Sequence, residues 1–154
     1  MSSAGYELPL LLFGGFRSII DELHAELGRR GHQDLRPAHG FAMQAIGVGG
    51  ATATDVGRRL GISKQAAGKT VERLEALGYV RRAGDGADRR RKLVHLTPRG
   101  IEALTLSAAI FSDIRARWAQ ALGRPRVDDM EAALRVMAPG EALRLDVPGW
   151  FGAS

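Results

Sequence analysis

Apolar side chains near the start of the chain recur at the spacing of a helix. Five of them follow one another at steps of 4, 3, 4 and 4 residues and so share one helical face: Leu12, Phe16, Ile19, Leu23 and Leu27. We expect this helix to begin at Pro9. The N–H groups of a first helical turn have no partner within the helix, so proline, which has no N–H, is tolerated there. Gly31 is expected to end it. A shorter helix is predicted over residues 37–46, with Phe41 and Ala45 facing inward.

The middle of the chain has the pattern of two short helices joined by a tight turn. Thr52 and Ser63 are suited to cap the two helices, Gly61 ends the first, and Gly78 suits the C-terminal turn of the second. The second helix is expected to run to about Leu77, and its inward positions are Ala67, Val71 and Leu74. Two short helices joined in this way form the helix-turn-helix pattern.

A hairpin and two further helices are predicted after the helix-turn-helix. Residues 79–82 and 93–96 are two runs of β-favouring residues separated by a loop rich in glycine, aspartate and arginine, which predicts antiparallel strands. A long helix of about six turns should follow Pro98, with a helical stripe at Ile101, Leu104, Ala108, Phe111, Ile114 or Arg115, Trp118 and Leu122. A last amphipathic helix has its apolar stripe at Val127, Met130, Leu134 and Met137, at spacings of 3, 4 and 3. The expected fold is mainly α with a small antiparallel β hairpin, an α+β fold.

Charge is concentrated on the central part of this pattern. The 154 residues suit one domain, or a domain that completes its core by pairing with a second copy. The chain has 22 basic and 17 acidic residues, a net charge of +5. Residues 52–99 hold 12 of the basic and 5 of the acidic residues, a net of +7, so the remainder holds 10 and 12, a net of −2. Such a concentration is typical of a polyanion site.

Several classes of protein are excluded by what the sequence lacks. There is no cysteine, which excludes disulfides and thiolate-bound zinc. The chain has no run of 18 or more apolar residues, the length that could span a membrane. The first residues lack the basic region of a signal peptide. We therefore expect a cytoplasmic protein that has no contact with membranes.

The second helix of the helix-turn-helix has the side chains expected of a helix in the DNA major groove. Its outward positions are Ser63, Lys64, Gln65, Gly68, Lys69 and Arg73. Gln65 is suited to adenine, the lysines to guanine or phosphate, and Ser63 at the helix N-terminus to a phosphate oxygen. Gly68 weakens the helix by roughly 1 kcal/mol relative to alanine, which fits a backbone that approaches another molecule closely. The alternative is a solvated basic face.

The arginine-rich loop of the hairpin favours DNA over that alternative. Arg89, Arg90, Arg91 and Lys92 are consecutive, so their charges repel unless a polyanion neutralises them. A narrow minor groove is such a partner for arginine. The loop and the basic helix together therefore predict duplex DNA as a partner.

These motifs resemble the MarR family of winged helix-turn-helix regulators. The likeness is carried by GISKQAAGKTVERLEALGYVRRAGDGADRRRKLVHLTPRG, where Asp88, Arg90 and Lys92 match the wing pattern Asp-x-Arg-x-Lys and Leu-Thr follows. It covers residues 8 to about 138. The resemblance implies that residues 63–77 form the recognition helix and that Arg90 enters the minor groove, braced by Asp88, with Arg89 beside it.

The resemblance also implies a division of labour along one MarR-type domain that spans residues 1–154. Residues 8–48 and 98–138 would form a helical region that joins two copies into a homodimer. Residues 50–97 would be the DNA-binding module, and the tail, residues 139–154, is not explained by the family pattern. Two recognition helices would then meet half-sites of a pseudo-palindrome about one DNA turn apart.

Relatives in this family bind small aromatic or phenolic acids between the dimer helices and the DNA-binding module. Candidates for such a lining are Phe16, His39, Phe41, Met43 and Phe111, with Arg17 or Arg36 as a partner for a carboxylate. The alternative is that these apolar residues are plain core.

Other chemistry is not supported by the sequence. Gly68, Lys69 and Thr70 match the second half of a phosphate-binding P-loop, but Ser63 stands where its first glycine should be, and the stretch lies within a helix. The four histidines lack metal-ligand spacing, and no catalytic constellation stands out. We expect no enzyme, metal or cofactor. The hypothesis is a homodimeric transcriptional repressor; the alternative is a winged-helix module for ligand or protein binding that does not read DNA.

Replacing Arg90 with alanine tests the role of the wing. We expect DNA affinity to fall by roughly tenfold, mainly on duplexes with A/T-rich flanks, where the minor groove is narrow. Fluorescence anisotropy on duplexes with A/T-rich and G/C-rich flanks measures both. An unchanged affinity would remove the wing from the mechanism.

Overall fold

Helices make up most of the chain, and one antiparallel hairpin interrupts them. The computed structural model describes residues 4–84 and 92–138. Its elements are α1 (Ala4–Arg29), α2 (Pro37–Ile46), α3 (Ala53–Leu60), α4 (Lys64–Ala76), β1 (Val80–Gly84), β2 (Lys92–Leu96), α5 (Pro98–Leu122) and α6 (Arg124–Met137). The predicted mainly α fold with a small β hairpin is confirmed. No helix in the described ranges is long and apolar enough to cross a bilayer.

Helix α1 begins earlier than expected, and its buried face begins later. The helix starts at Ala4, so Pro9 lies inside it rather than at its first turn. Side chains from position 5 to position 14 are exposed, including Leu12 of the apolar stripe. Burial begins with the half-buried Phe16, and its fully buried part is Ile20, Leu23 and Leu27. Within the described residues, the second half of α1 is therefore the part that packs against the rest of the chain.

The core is continuous from α1 to the hairpin. Its fully buried side chains include Val56 of α3, Val71 and Leu74 of α4, Tyr79 and Val94. The two strands pair antiparallel from Val80 opposite Leu96 to Gly84 opposite Lys92. Ala51, just before α3, forms a pair of hydrogen bonds with Val94 at 3.0 and 2.8 Å. This bridge ties the start of the helix-turn-helix to the hairpin.

Helix α5 buries positions that lie partly outside the apolar stripe seen in the sequence. Its buried positions are Gly100, Ala103, Ser107, Ile110 and Ile114. Of the stripe, Leu104, Phe111 and Trp118 are half-buried, whereas Ile101, Ala108 and Leu122 are exposed. Apolar residues therefore cover more than one face of this helix.

Helix α6 buries one side chain, that of Val127, among its described residues. The other residues of its apolar stripe, Met130, Leu134 and Met137, are exposed. Arg115 of α5 also holds α6 through ion pairs with Asp128 at 2.8 Å and Glu131 at 2.5 Å. Most of the apolar stripe of α6 therefore remains at least partly open to solvent in the described chain.

The N-terminus of α5 packs directly on the backbone of the hairpin. Thr97 caps the helix by accepting a hydrogen bond from the Gly100 N–H at 3.2 Å, and its hydroxyl donates to the Gly78 carbonyl at 2.6 Å. A Cβ atom at Gly100 would lie only 2.3 Å from the Tyr79 carbonyl oxygen. A side chain at position 100 would therefore separate α5 from the hairpin.

We expect Gly100→Ala to destabilise the protein by about 1–3 kcal/mol, because the methyl group overpacks this contact. The matched control is Gly68→Ala, since a Cβ there meets nothing within 4 Å. The control should gain up to ~1 kcal/mol from helix propensity. Urea unfolding of both variants measures the difference. A Gly100→Ala protein as stable as the wild type would show that α5 shifts away from the hairpin without cost.

Candidate nucleic-acid interface

The turn between α3 and α4 is fixed by two side-chain caps. The Thr52 hydroxyl accepts a hydrogen bond from the Asp55 N–H at 3.0 Å, and the Asp55 carboxylate accepts one from the Thr52 N–H at 3.2 Å. These bonds lower the pKa of Asp55 below its usual value. Gly61 ends α3 in the left-handed conformation, with φ of +67°. Ser63 caps α4 by accepting from the Ala66 N–H at 3.0 Å. The predicted caps are confirmed.

Helix α4 is held by its buried face. Ala67, Val71 and Leu74 are all fully buried, as predicted. A Cβ at Gly57 of α3 would lie 3.0 Å from the Ile62 carbonyl oxygen and 3.4 Å from the Ala67 Cβ, so the two helices approach each other closely. This packing fixes which face of α4 points outward.

The outward face of α4 holds the predicted DNA-binding side chains of that helix. Five of the six positions are exposed and Gly68 is half-buried; the exposed ones are Ser63, Lys64, Gln65, Lys69 and Arg73. The face also includes Glu72. The structure thus brings three basic side chains and one amide together on a single solvent-facing surface.

The hairpin follows α4 in sequence, and its strands form the base of the wing. Lys92 is exposed at the start of β2, opposite Gly84 in the strand register. The other predicted wing residues, Asp88, Arg89 and Arg90, lie outside the described residues. Arg81 is exposed on β1 opposite His95. It was not among the predicted site residues, although its place in a basic strand could have indicated it.

Part of the positive charge in this module is used for structure. Arg58 forms an ion pair with Asp55, and Arg59 donates to the Ala45 carbonyl. Arg82 lies 3.9 Å from Glu75, and Arg99 lies 3.0 Å from Asp34. These contacts tie four of the basic side chains to the protein itself, although Arg58, Arg59 and Arg99 stay exposed to solvent. The basic side chains of α4, together with Arg81 and Lys92 of the hairpin, are exposed as well.

A small apolar cavity lies between α1, α2 and α5. Its volume is about 20 Å³, which is room for one water molecule. Two predicted ligand-lining residues, Phe41 and Phe111, line it, and Phe16 stacks on Phe41 with ring centroids 6.3 Å apart. His24 and Gln44 are polar lining residues that the sequence reasoning missed. Burial lowers the pKa of His24, which favours its neutral form.

The remaining predicted ligand-binding residues are placed elsewhere. Arg17 is exposed, 3.7 Å from Asp21. His39 helps to cap α2, since its Nδ1 accepts a hydrogen bond from the Arg36 N–H at 3.1 Å. Burial, followed by the positive charges of Arg36 and Arg73, lowers the pKa of His39. Met43 is fully buried in the core.

Known proteins share this sequence pattern and this fold. Residues 33–91 match the sequence model of the MarR family. No curated protein sequence matches the chain. Among solved structures, FabT from Streptococcus pneumoniae in complex with DNA is 18% identical with a TM-score of 0.74, over 86% of this chain and 93% of that chain.

Two further solved structures extend the comparison. CouR, a transcriptional repressor bound to a 23-mer DNA duplex, is 20% identical with a TM-score of 0.71, over 90% of this chain and 96% of that chain. MarR from E. coli in its apo form is 21% identical with a TM-score of 0.67, over 86% and 97%. At these identities the structures show a common fold.

The family match and the shared fold agree with the motifs on which the resemblance rests. The matched residues include the helix-turn-helix and most of the wing motif. MarR-family proteins are transcription regulators rather than enzymes, which accords with the expected absence of a catalytic function. Through residues 33–91 the chain is similar to the MarR family of transcriptional regulators, and it shares the winged-helix fold of the solved structures.

Proposed function

We propose that this regulator binds a pseudo-palindromic duplex as a homodimer, represses transcription, and is released by a small aromatic or phenolic effector. The observation that carries the proposal is the outward face of α4, which the buried Ala67, Val71 and Leu74 hold in a fixed orientation. The cytoplasmic location expected from the sequence stays a prediction.

Direct readout of bases is assigned to the N-terminal half of α4, because the first turns of a recognition helix reach the base edges. Gln65 is suited to pair with adenine through its amide, and Lys64 or Lys69 with guanine or phosphate. The Ser63 hydroxyl accepts its capping bond, so its hydrogen can be donated to a phosphate oxygen. Arg73, further along the exposed face, is assigned to the phosphate backbone.

The wing is assigned to the flanking minor groove. Lys92 supplies positive charge at its base, and Asp88, Arg89 and Arg90 keep the roles that the resemblance implies. Residues 50–97 would then act as the DNA-binding module of one MarR-type domain over residues 1–154. The flanking residues 8–48 and 98–138 would hold two such modules at a fixed spacing.

Pairing of two copies is supported by the apolar surfaces that one chain leaves exposed. On α1 they are Tyr6, Leu8, Leu10, Leu11, Leu12 and Phe13, and on α6 they are Met130, Leu134, Val136 and Met137. Exposed apolar patches of this kind mark interaction sites, because their contact with water is unfavourable. A second copy of the chain supplies matching apolar faces by symmetry.

The structural relatives support DNA as the partner and repression as the outcome. FabT and a MepR mutant have both been solved with DNA, and CouR, a repressor, with a 23-mer duplex. Two half-sites one helical turn apart fit within a duplex of that length.

Release by an effector would require the cavity to open. At about 20 Å³ it is far smaller than the roughly 300 Å³ of a typical ligand pocket. An aromatic effector would therefore bind best to a state in which α1, α2 and α5 have moved apart around Phe41 and Phe111. If that state spaces the two modules wrongly for DNA, the effector shifts the population away from the DNA-binding form.

Selection of duplexes from a random library tests DNA readout. We expect enrichment of an inverted repeat by the full chain, with affinity that falls as salt rises because phosphate contacts release counterions. Gln65→Ala should cost about 1–3 kcal/mol and relax the preference at one base position in each half-site. Sequencing of the selected pools, followed by anisotropy at several salt concentrations, measures both.

The matched control is Gln44→Ala, which removes the same amide from α2 at the apolar cavity and should leave the selected sequence unchanged. Failure to enrich any site would favour the alternative of a winged-helix module without DNA readout. Uniform weakening across all sequences by Gln65→Ala would instead assign this residue to the backbone.

Sedimentation equilibrium tests the homodimer. We expect the mass of two chains for the wild type, and dissociation on combining Leu11→Asp with Leu134→Asp, because each buries a charge in the proposed interface. Val48→Asp is the control, since Val48 is 96% exposed in the loop after α2, away from both apolar surfaces. A stable folded monomer of the wild type would contradict the proposal.

A further inference from the structure

Two arginines and a histidine from α2 and α4 lie near one another. Arg36 directly precedes α2, His39 is in the first turn of α2, and Arg73 is on the outward face of α4. The two helices pack against each other. Burial and then the charges of Arg36 and Arg73 lower the pKa of His39, so both guanidinium groups lie close to its ring. We call these three residues the Arg36 cluster.

The ring of His39 is held by a hydrogen bond at the start of α2. Its Nδ1 accepts from the Arg36 N–H at 3.1 Å, and the residue is only 9% exposed. A ring nitrogen that accepts from an N–H carries no hydrogen itself, so the hydrogen of the neutral ring is on Nε2. His39 therefore adds a hydrogen-bond donor, rather than an acceptor, to the cluster.

The two arginines of the cluster are not neutralised by the described part of the chain. Arg36 and Arg73 are exposed, and neither forms an ion pair with a described residue. Asp34 is the acidic residue whose charge reaches the cluster. Its carboxylate is already used, because it accepts from the Tyr79 hydroxyl at 2.7 Å and from Arg99 Nη2 at 3.0 Å.

The acidic residues of α4 do not neutralise Arg73 either. Glu75 lies 3.9 Å from Arg82, and Glu72 precedes Arg73 directly in sequence. Helix residues one or two positions apart do not face each other, so both carboxylates point away from Arg73. Lys69, in contrast, is exposed one turn before Arg73 on the same face. The positive charge of α4 therefore continues through Arg73 towards Arg36.

A cluster with this composition is suited to an oxyanion. Guanidinium groups have only donors, and His39 adds another at Nε2. Like charges that are held near one another repel until an anion neutralises them. Guanidinium groups also match the oxygen geometry of phosphate and carboxylate groups. The oxyanion is thus a phosphate of nucleic acid or the carboxylate of a small molecule.

The position of the cluster favours the phosphate. Arg36 is a candidate from the sequence for binding an effector carboxylate, but the residues that line the apolar cavity between α1, α2 and α5 include neither Arg36 nor Arg73. Arg73 instead shares its exposed face with Gln65 and Lys69. A duplex that lies along this face would bring its backbone to the C-terminal part of α4, where Arg73 lies.

We propose that Arg36, His39 and Arg73 together bind one backbone phosphate of the duplex, so that the start of α2 takes part in DNA binding. The inference rests on the proposed function, because it requires a duplex along α4. Such a contact fixes the position of the protein on DNA without reading a base.

Arg36→Gln tests the phosphate contact. We expect affinity for the library-selected duplex to fall about fivefold at low salt, by a similar factor on mismatched duplexes, because no base contact is lost. The slope of log affinity against log salt should decrease by about 1. Arg36→Lys keeps the charge and should keep the slope. Fluorescence anisotropy over a range of salt concentrations measures all of these.

A double-mutant cycle tests whether Arg36 and Arg73 hold the same phosphate. Arg73→Gln should weaken binding in the same way, and the combined variant should lose less than the product of the two single losses. Arg124→Gln is the matched control, because it removes the same charge from an exposed position at the start of α6. Losses that simply multiply would overturn a shared phosphate, and an equal loss in Arg124→Gln would overturn the site in favour of a general charge effect.

Side-chain NMR of His39 in the full-length protein tests the site without DNA. We expect inorganic phosphate to shift the His39 ring signals in the wild type and to shift them much less in Arg36→Gln. Signals that phosphate leaves unmoved would overturn the site. Benzoate is the carboxylate probe: if benzoate alone shifts His39 while Arg36→Gln keeps its DNA affinity, the site takes a carboxylate and the phosphate contact is overturned.

The outcomes separate this inference from the proposed function. An enriched duplex whose affinity and salt slope are unchanged by Arg36→Gln overturns the phosphate contact alone. Failure to enrich any duplex overturns the proposed function and, with it, the DNA contact, while shifts of His39 with inorganic phosphate would still support an oxyanion site.

Discussion

Burial of the Tyr79 hydroxyl is the constraint on which the arrangement of this protein depends. Tyr79 has the largest side chain among the fully buried residues of the described chain. A buried hydroxyl without partners is costly, by roughly 1–3 kcal/mol in proteins, so the fold must bring partners to it. Asp34, His32 and Arg99 come from two other segments to provide them. The orientation of α5 and of the connection between α1 and α2 follows from that requirement.

The same junction couples recognition to the rest of the molecule. The backbone of Tyr79 bonds to Leu74 at the end of α4 and to Thr97 at the start of α5. Gly100 allows α5 to lie against this backbone, because any side chain there would meet the Tyr79 carbonyl. Helix α4 is therefore connected to α5 through hydrogen bonds and close packing rather than through a flexible linker. A change in α5 has a short path to the exposed basic face of α4.

Charge in the central module serves two purposes. Arg58, Arg59, Arg82 and Arg99 have partners within the protein. The exposed basic residues of α4 project from a surface whose opposite side is apolar and buried. A net charge alone could not distinguish these two groups, since it counts every basic side chain alike. The group on α4 shares one solvent-facing surface, which is the arrangement suited to a duplex, because phosphates bind cations that solvent can reach.

The sequence by itself determined the local elements of this protein and its resemblance to the MarR family. Caps at Thr52, Ser63 and Thr97 and the inward face of α4 were predicted correctly, because they depend on neighbours within one or two helical turns. The buried face of α5 could not be identified from the sequence, since apolar residues cover more than one side of that helix. The hydrogen bonds of Tyr79 with His32 and Asp34 were also missed, because these residues lie 47 and 45 residues from Tyr79 in sequence. Only the tertiary structure decides which distant polar groups must meet, as a buried hydrogen bond depends on the packing of the whole chain.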